Sequence, residues 1–567
     1  MNKDNFLHSS IVDAFEQSIK NNPGKIAILG DKIEITYSQL QTESDLVAQN
    51  LYNRGFIGCT ICIDITPSPE LIICILGVLK VNCSYICFDN KTPLSRKRNI
   101  IKQSESKLII SSKNDVCDSI RFDELSAKVE VTGFKTAKNK LSTIIYTSGS
   151  TGEPKGVMVS HENILSFIEA TKNIDSTDRI AQFSSVAFDA FQFELWSALL
   201  NGGTLCLMPP EVLSNPHKAQ ESLKDLEVTT AFITTALINA GILPYFQHID
   251  SFNRLFFGGE PLKNNIISDI FSELDFELIH CYGPTEACIW NVTYPVTHAS
   301  FPLPLGKPLS NATIKLVDEH LNDITLPNVQ GEILVGGQCV TLGYFKDAAQ
   351  TQEKFIEIDQ QRYYKTSDIA YFNEECLLVY SHRTDNTIKF NGFRVNLTEI
   401  DNMVMQADKQ ICSATVLYKN NLQDQIITFY CASELTESDI RSWLSQHLPH
   451  YMQPNRLIRV KQFPHTVSGK VDRKALLAQI TDACEASDTD DASDIAGQIC
   501  KIWSKLLGTN DIDHDDKFFD VGGSSVLILK LQREVNKAFK IKVRVTELFK
   551  KPSIKEQAEL VKSLVCQ

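Results

Sequence analysis

The chain has 567 residues, too many for one hydrophobic core, so several domains are expected. A hydrophobic fraction of 43% is ordinary for a soluble globular protein, and a formal net charge of -13 argues against nucleic acid or an anionic membrane as the main partner. The sixteen cysteines are scattered through apolar runs such as "LIICILG" and "CSYICFD", which reads as reduced, mostly buried thiols in a cytoplasmic chain.

The N-terminal "MNKDNFLHSS" has no hydrophobic signal core, and no apolar run approaches the length of a membrane span. Cys59 and Cys62 form a C-x-x-C inside "CTICIDIT", which alternates like a strand. Without a second pair or a nearby histidine they read as structural. Through about residue 380, β-rich runs such as "SKLIISS", "STIIYTS", "GTLCLMP", "TTAFITT" and "NRLFFGG" alternate with amphipathic helical stretches. That alternation predicts an α/β fold, with large layers and mixed or parallel sheets.

Between two of these runs lies "YTSGSTGEPKG", residues 146–156. "STIIY" before it reads as a strand and "GVMVS" after it is β-like. A helix follows only at "SHENILSFIEAT", with Ser160 as N-cap. The P-loop and the dinucleotide fingerprint both need a helix directly after their glycines, so both are rejected. A glycine-hydroxyl loop can still wrap a triphosphate with N–H and OH donors, Lys155 adding charge. The bland alternative is an ordinary hairpin connection.

Farther along, "RTDNTIKFNGFRVNLTEID" breaks short strands with polar turns, and a smaller α+β segment runs to about 480 through "HTVSGKVDRKAL". "TDACEASDTDDASD" has six acidic residues, no basic ones and no apolar period, so it reads as a solvated linker. The last seventy or so residues are helical by pattern. Ile528, Leu531, Val535, Ala538 and Phe539 mark one face of a helix starting after "VGGSS". The division expected is a core over 1–384, a small unit over 385–480, a linker over 481–494 and a helical unit over 495–567.

The loop resembles the signature of the adenylate-forming enzymes, which include nonribosomal peptide synthetase adenylation domains, acyl-CoA synthetases and luciferases. Further family-like motifs follow in order: "ITYSQL", "LKVNCSYICFD", "FDAFQFELW", "CYGPTE", "GEILVGG", "YKTSDIA", "HRTDNTIKFNGFRVNLTEID", "LPHYMQP" and "SGKVDR". The likeness covers about residues 10–480. "DKFFDVGGSSVL" then resembles a peptidyl carrier domain, which implies an all-α four-helix unit.

Activating a carboxylate with ATP brings two anions together, so charge neutralisation and positioning are the main tools. The resemblance implies that Thr147, Ser148, Gly149, Ser150, Thr151, Gly152 and Lys155 hold the β- and γ-phosphates, with Gly259 and Glu260 also at the ATP site. It implies that Tyr282 stacks on adenine, Thr285 bonds the α-phosphate and Glu286 helps hold Mg2+. Asp368 resembles the ribose ligand and Arg383 its neighbour. Lys470 matches the lysine bridging the substrate carboxylate and the developing adenylate oxygens; in isolation it would be a solvated loop lysine. Asp385 matches the hinge on which the small unit turns between two half-reactions. Three positions depart from the pattern: Ser367 stands where glycine is usual, His382 replaces a glycine, and His280 stands where asparagine is common.

Asp189 matches the aspartate that amino-acid-activating domains place against the α-ammonium, although a turn aspartate is the plain alternative. Ala190, Phe193, Phe232, Phe256, Gly258, Cys281, Ile289 and Trp290 would complete an uncharged pocket, suited to an apolar amino acid such as valine, leucine or isoleucine. Ser525 matches the serine that carries 4'-phosphopantetheine, at a helix start whose N–H groups favour a phosphodiester; an N-cap serine is its ordinary reading. The implied partners are a phosphopantetheinyl transferase with coenzyme A, and a condensation, reductase or thioesterase protein in trans. An aryl- or fatty-acid-activating ligase and a catalytically dead nucleotide-binding scaffold are the rivals.

Overall fold

The computed structural model describes residues 10–112, 119–132, 139–149, 153–171, 173–209, 212–262, 274–297, 302–408, 411–419, 424–431, 435–464, 471–484, 495–507, 512–518, 521, 523 and 525–565. The α/β reading is correct. A nine-stranded sheet runs in the order 307–308, 292–295, 277–282, 254–258, 230–234, 179–182, 204–207, 26–30, 33–36. Its central pairs are parallel and its edges antiparallel. A six-stranded sheet holds 119–121, 108–111, 60–64, 84–87, 141–147 and 155–160 in that order. A third sheet of five strands spans 312–383.

The helix Pro69–Lys80 shows how the layers close. Its sequence is apolar nearly all round, and Leu71 through Leu79 are buried. That composition belongs to a helix covered on all sides. A Cβ on Gly77 would lie 2.5 Å from Val47 Cγ1, so glycine lets the helix Tyr37–Asn53 approach closely. The helix His161–Ala170 begins as its sequence predicts, the Ser160 hydroxyl accepting from the Asn163 N–H at 3.0 Å.

After Asp385 the chain forms the hairpin Thr387–Phe390 and Phe393–Asn396, then a three-stranded sheet with Cys412–Tyr418, Gln425–Cys431 and Arg456–Arg459. The helix Arg473–Cys484 packs Leu476 and Ile480 on that sheet with Val416 and Phe429. It therefore runs four residues into the stretch read as linker, because its buried i, i+4 pair outweighs the acidic composition. Residues 485–494 lie outside the described part.

The C-terminal unit has helices Ile495–Leu507, Ser525–Phe539, Val545–Lys550 and Ile554–Val565 around Trp503, Phe518, Ile528 and Leu531. Ile528, Leu531 and Val535 are buried and Phe539 half-buried, but Ala538 is exposed, one position off the apolar stripe. This unit touches the core where Arg533 donates to the Gly241 carbonyl at 2.6 Å and Ala240 joins its apolar cluster. Among the described residues no helix is long and apolar enough to cross a membrane.

The cysteines are free thiols among the described residues, and most are buried. The half-buried Cys59 has Cys83, just before the adjacent strand Ser84–Cys87, as its thiol neighbour, Sγ to Sγ 3.5 Å, and the buried Cys62 is not its partner.

Candidate active site

A cavity of about 2080 Å³ lies between the core and the small unit, larger than a drug-sized pocket and roomy enough for a nucleotide with a second substrate. The hairpin strands Leu141–Thr147 and Lys155–Ser160 bring Thr147 and Lys155 into register at one end. The Thr147 hydroxyl is buried with no hydrogen-bond partner among the described residues, a suitable place for a phosphate oxygen. Ser150, Thr151 and Gly152 lie outside the described residues.

Lys155 Nζ stands 3.2 Å from the Glu286 carboxylate and donates to the Tyr344 hydroxyl at 2.8 Å. Burial lowers the Lys155 pKa to about 8 although Glu286 opposes the shift. Glu286 is fully buried beside Thr285 and also pairs with Arg394 at 2.7 Å. Burial disfavours its charge, but Arg394 and Lys155 outweigh it and hold the carboxyl well below the usual range. A carboxylate that already holds two cationic groups fits a divalent cation, which when bound would neutralise phosphate charge beside Glu286.

Elsewhere on the cavity wall, Asp368 accepts from Arg383 and from the Tyr282 hydroxyl, each at 2.6 Å. A carboxylate offers roughly four lone-pair sites, so room remains for ribose hydroxyls. Arg383 also binds Asp385 at 2.8 Å, tying Asp368 to the start of the small unit. Gly259 and Glu260 line the same cavity, and Glu260 accepts from the Gly392 N–H at 3.2 Å.

Ser367 has φ +61°, the left-handed region that glycine adopts freely, so the serine holds a glycine-like backbone at a cost. Ser367→Gly should raise stability by roughly 0.5–1 kcal/mol, once glycine's greater unfolded-state entropy is offset, and thermal melting will read it. His280 is a core histidine. Its Nδ1 bonds the Pro304 carbonyl at 2.9 Å, its ring stacks on Phe257, and burial lowers its pKa to about 4. His382 is exposed, its Nδ1 3.0 Å from the Ser381 hydroxyl.

At the far wall Asp189 accepts from the Thr285 hydroxyl at the head of the helix Ala190–Leu200. Burial raises its pKa, against the Thr285 bond and the nearby Lys389 ammonium. Trp290 forms the floor, stacked at 14° on Phe232 (5.5 Å) and at 24° on Phe256 (5.7 Å). Ala190, Phe232, Gly258, Cys281, Ile289 and Trp290 line the cavity. Phe193 and Phe256 instead pack behind Trp290, with Phe193 fully buried. Cys288 and Ile289 have φ of +47° and +75°, an unusual conformation for a β-branched residue that aims this segment into the pocket.

Lys470 lies outside the described residues. Its flanks Pro464 and Val471 are not among the cavity-lining residues, and Val471 packs with Leu476 on the sheet of the small unit. The hairpin presents Lys389, Gly392 and Arg394 to the cavity. These three stand within the "IKFNGFR" that the sequence displays, yet nothing local marks them as facing the site. Ser525 is the first residue of its helix, and nearby Gly523 lines the cavity.

Residues 15–345 match the model of the AMP-binding enzymes, more than half of the chain. The chain belongs to the AMP-binding enzyme family. Residues 497–561 match the phosphopantetheine attachment site model, so it is an adenylation unit joined to a carrier unit, the organisation of an adenylation–thiolation ligase. Tyrocidine synthase 3 of Brevibacillus parabrevis is 30% identical over 97% of this chain, but the match covers only 9% of that protein. The chain spans about a tenth of the length of such relatives. A holo protein of nonribosomal peptide synthesis with adenylation and carrier domains, bound to a vinylsulfonamide inhibitor, shares the fold at a TM-score of 0.83 and 23% identity. That match covers 99% of this chain and 97% of that one. The o-succinylbenzoate CoA synthetase of Bacillus subtilis shares it at 0.75 and 19% identity, over 82% of this chain and 97% of its own.

Proposed function

We propose that the chain activates an amino acid with an apolar side chain as its aminoacyl adenylate, releasing pyrophosphate, and then loads it on its own carrier unit. The supporting observation is Asp189, a buried carboxylate on a wall where Ala190, Phe232, Cys281, Ile289 and Trp290 contribute no charge. A buried ammonium needs such a partner, because an unpaired charge there costs several kcal/mol. In the first step a carboxylate oxygen of the amino acid attacks the α-phosphorus and the bond to pyrophosphate breaks. The proposed groups are Thr147, Ser148, Gly149 and Lys155 for the phosphates, Thr285 and Glu286 with Mg2+ for the charge, and Lys470 for the developing adenylate. In the second, the phosphopantetheine thiol on Ser525 supplies the sulfur that bonds the carbonyl carbon as AMP leaves and the thiol proton passes to solvent. Partners are a phosphopantetheinyl transferase with coenzyme A and a downstream protein that consumes the thioester.

Pyrophosphate exchange across the amino acids, with aryl and fatty acids added, tests the reading. The greatest exchange is expected with an apolar amino acid, and an aryl or fatty acid in first place would hand the assignment to the acyl-activating alternative.

Asp189→Asn should raise the amino-acid KM about a hundredfold at neutral pH, the effect of removing one partner of a buried ion pair, with the ATP KM little changed. The sign of the pH dependence follows from the raised Asp189 pKa. Above that pKa the carboxylate is charged and holds the ammonium; as pH falls through it the carboxyl neutralises and KM climbs. The climb should begin above the ordinary aspartate range and vanish in the Asn variant, as KM profiles over acidic to neutral pH will show.

A further inference from the structure

The C-x-x-C of Cys59 and Cys62 has no part in the proposed adenylation, and the fold does not pair it. Cys59 instead meets Cys83, 24 residues on, with 3.5 Å between the sulfurs. Strand register explains the meeting. The parallel strands Thr60–Asp64 and Ser84–Cys87 pair Thr60 with Ser84. The ladder extends one residue back, where the Ser84 N–H donates to the Cys59 carbonyl at 2.9 Å. Neighbouring strands lie about 4.8 Å apart, inside the span of roughly 4.4–6.8 Å between Cα atoms that a disulfide bridges. Cys59 and Cys83 therefore stand side by side on one face, and rotation about their Cα–Cβ bonds closes the remaining gap.

The two thiols differ in access and in charge. Cys59 is half-buried beside the exposed Ile57 and Gly58, whereas Cys83 is fully buried. The Cys83 sulfur also accepts from the Cys59 N–H at 3.3 Å, which fixes it against its neighbour. Donation from the Cys83 thiol brings the Cys59 pKa down to about 7 against partial burial, and the Lys107 ammonium assists. Holding that proton raises the Cys83 pKa in turn. Cys62, by contrast, is pushed up to about 12 by burial. The thiolate is the form that an oxidant attacks, and only a small oxidant reaches a half-buried sulfur.

We propose that Cys59 and Cys83 form an oxidation site for peroxides, Cys59 reacting first and Cys83 resolving the product as a disulfide. The Cys59 thiolate attacks one peroxide oxygen and the O–O bond breaks. The departing hydroxide takes up the proton that the thiol had released and leaves as water, so Cys59 becomes a sulfenic acid. A neutral sulfenic acid no longer holds the Cys83 proton in place. The Cys83 sulfur attacks the Cys59 sulfur, the S–O bond breaks, and the hydroxyl leaves with the Cys83 proton as a second water. Two thiols are oxidised and one peroxide is reduced. The disulfide stops Cys59 short of the irreversible sulfinic acid, and a thiol reductant restores the pair.

The reduced full-length chain is treated with an equimolar amount of hydrogen peroxide, and its remaining thiols are alkylated. Unreduced tryptic peptides are then read by tandem mass spectrometry, since trypsin cuts after Lys80, between the two cysteines. Cys59 should be linked to Cys83, while the more exposed Cys376 and Cys412 stay as alkylated thiols. Dithiothreitol should return both thiols. Cys83→Ser should abolish the link and leave Cys59 as a sulfenic acid, trapped by dimedone, or as sulfinic acid. Cys59→Ser should leave Cys83 a thiol at the same dose. The proposal is overturned by a wild-type chain with no link, by a link from Cys59 to Cys62 or any other cysteine, or by oxidation of Cys376 or Cys412 ahead of Cys59. Oxidation of Cys83 in the Cys59→Ser variant would overturn it as well. The wild-type map decides the case even where a variant fails to fold.

Discussion

Ser525→Ala should leave no detectable thioester on the chain after incubation with phosphopantetheinyl transferase, coenzyme A, ATP and the preferred amino acid, while pyrophosphate exchange stays at the wild-type rate. The hydroxyl is the proposed attachment point, and no other side chain can replace a missing nucleophile at the same position. Stability should hardly change. Ser525 opens the helix Ser525–Phe539, where alanine is a better helix former than serine. In the proposed adenylation step the cavity residues around Asp189, Glu286 and Asp368 act, so exchange should have no need of this hydroxyl. Intact-protein mass spectrometry gives the answer: one arm on the wild type and none on the variant. An arm that persists, or loading that survives the substitution, would leave a free-standing ligase.

What was legible in the sequence was local. Ser160 as a cap and the Ile528 stripe follow from spacings of three and four residues, which the backbone geometry of a helix imposes directly. Tyr282, Glu286, Asp368 and Arg383 stand in quotable motifs of the sequence, and the fold brings them to one cavity or its wall. The acidic stretch after 480 was misleading at its start, since the burial of Leu476 and Ile480 carries the helix into it. The pocket was legible in composition but not in depth. Phe193 and Phe256 stand close to lining residues in the sequence, and only their ring contacts with Trp290 show that they support the floor from behind. The bonds of Glu399 to Gly149 and Arg394 to Glu286 were not legible at all. They depend on how one unit seats on another, and such a seating leaves no periodic mark on either segment.

Gly392→Ala should slow loading roughly a hundredfold and leave pyrophosphate exchange within about twofold of wild type, from a summed cost of roughly 2–4 kcal/mol in the docked state. Asn391 and Gly392 form the two-residue turn between Thr387–Phe390 and Phe393–Asn396, with φ of +52° and +84°, the Asn-Gly pair that a tight hairpin favours. In the docked arrangement a Cβ on Gly392 would fall 2.4 Å from Thr234 Cγ2 and 2.6 Å from its Cβ. Thr234 ends a central strand of the nine-stranded sheet and cannot retreat as the tip of a flexible side chain could. Nor can the hairpin slide, because Phe393 is stacked on Tyr451 at 4.3 Å and packed on Phe188 at 5.0 Å. Turn strain and collision are separable. Asparagine tolerates the left-handed backbone but keeps the Cβ, so Gly392→Asn should relieve the turn and still block docking. Single-turnover loading beside equilibrium exchange measures both effects on one preparation. Equal losses in the two assays would mean general damage to the hairpin, and full loading activity in the Asn variant would mean that the small unit does not seat on Thr234 when the carrier is loaded.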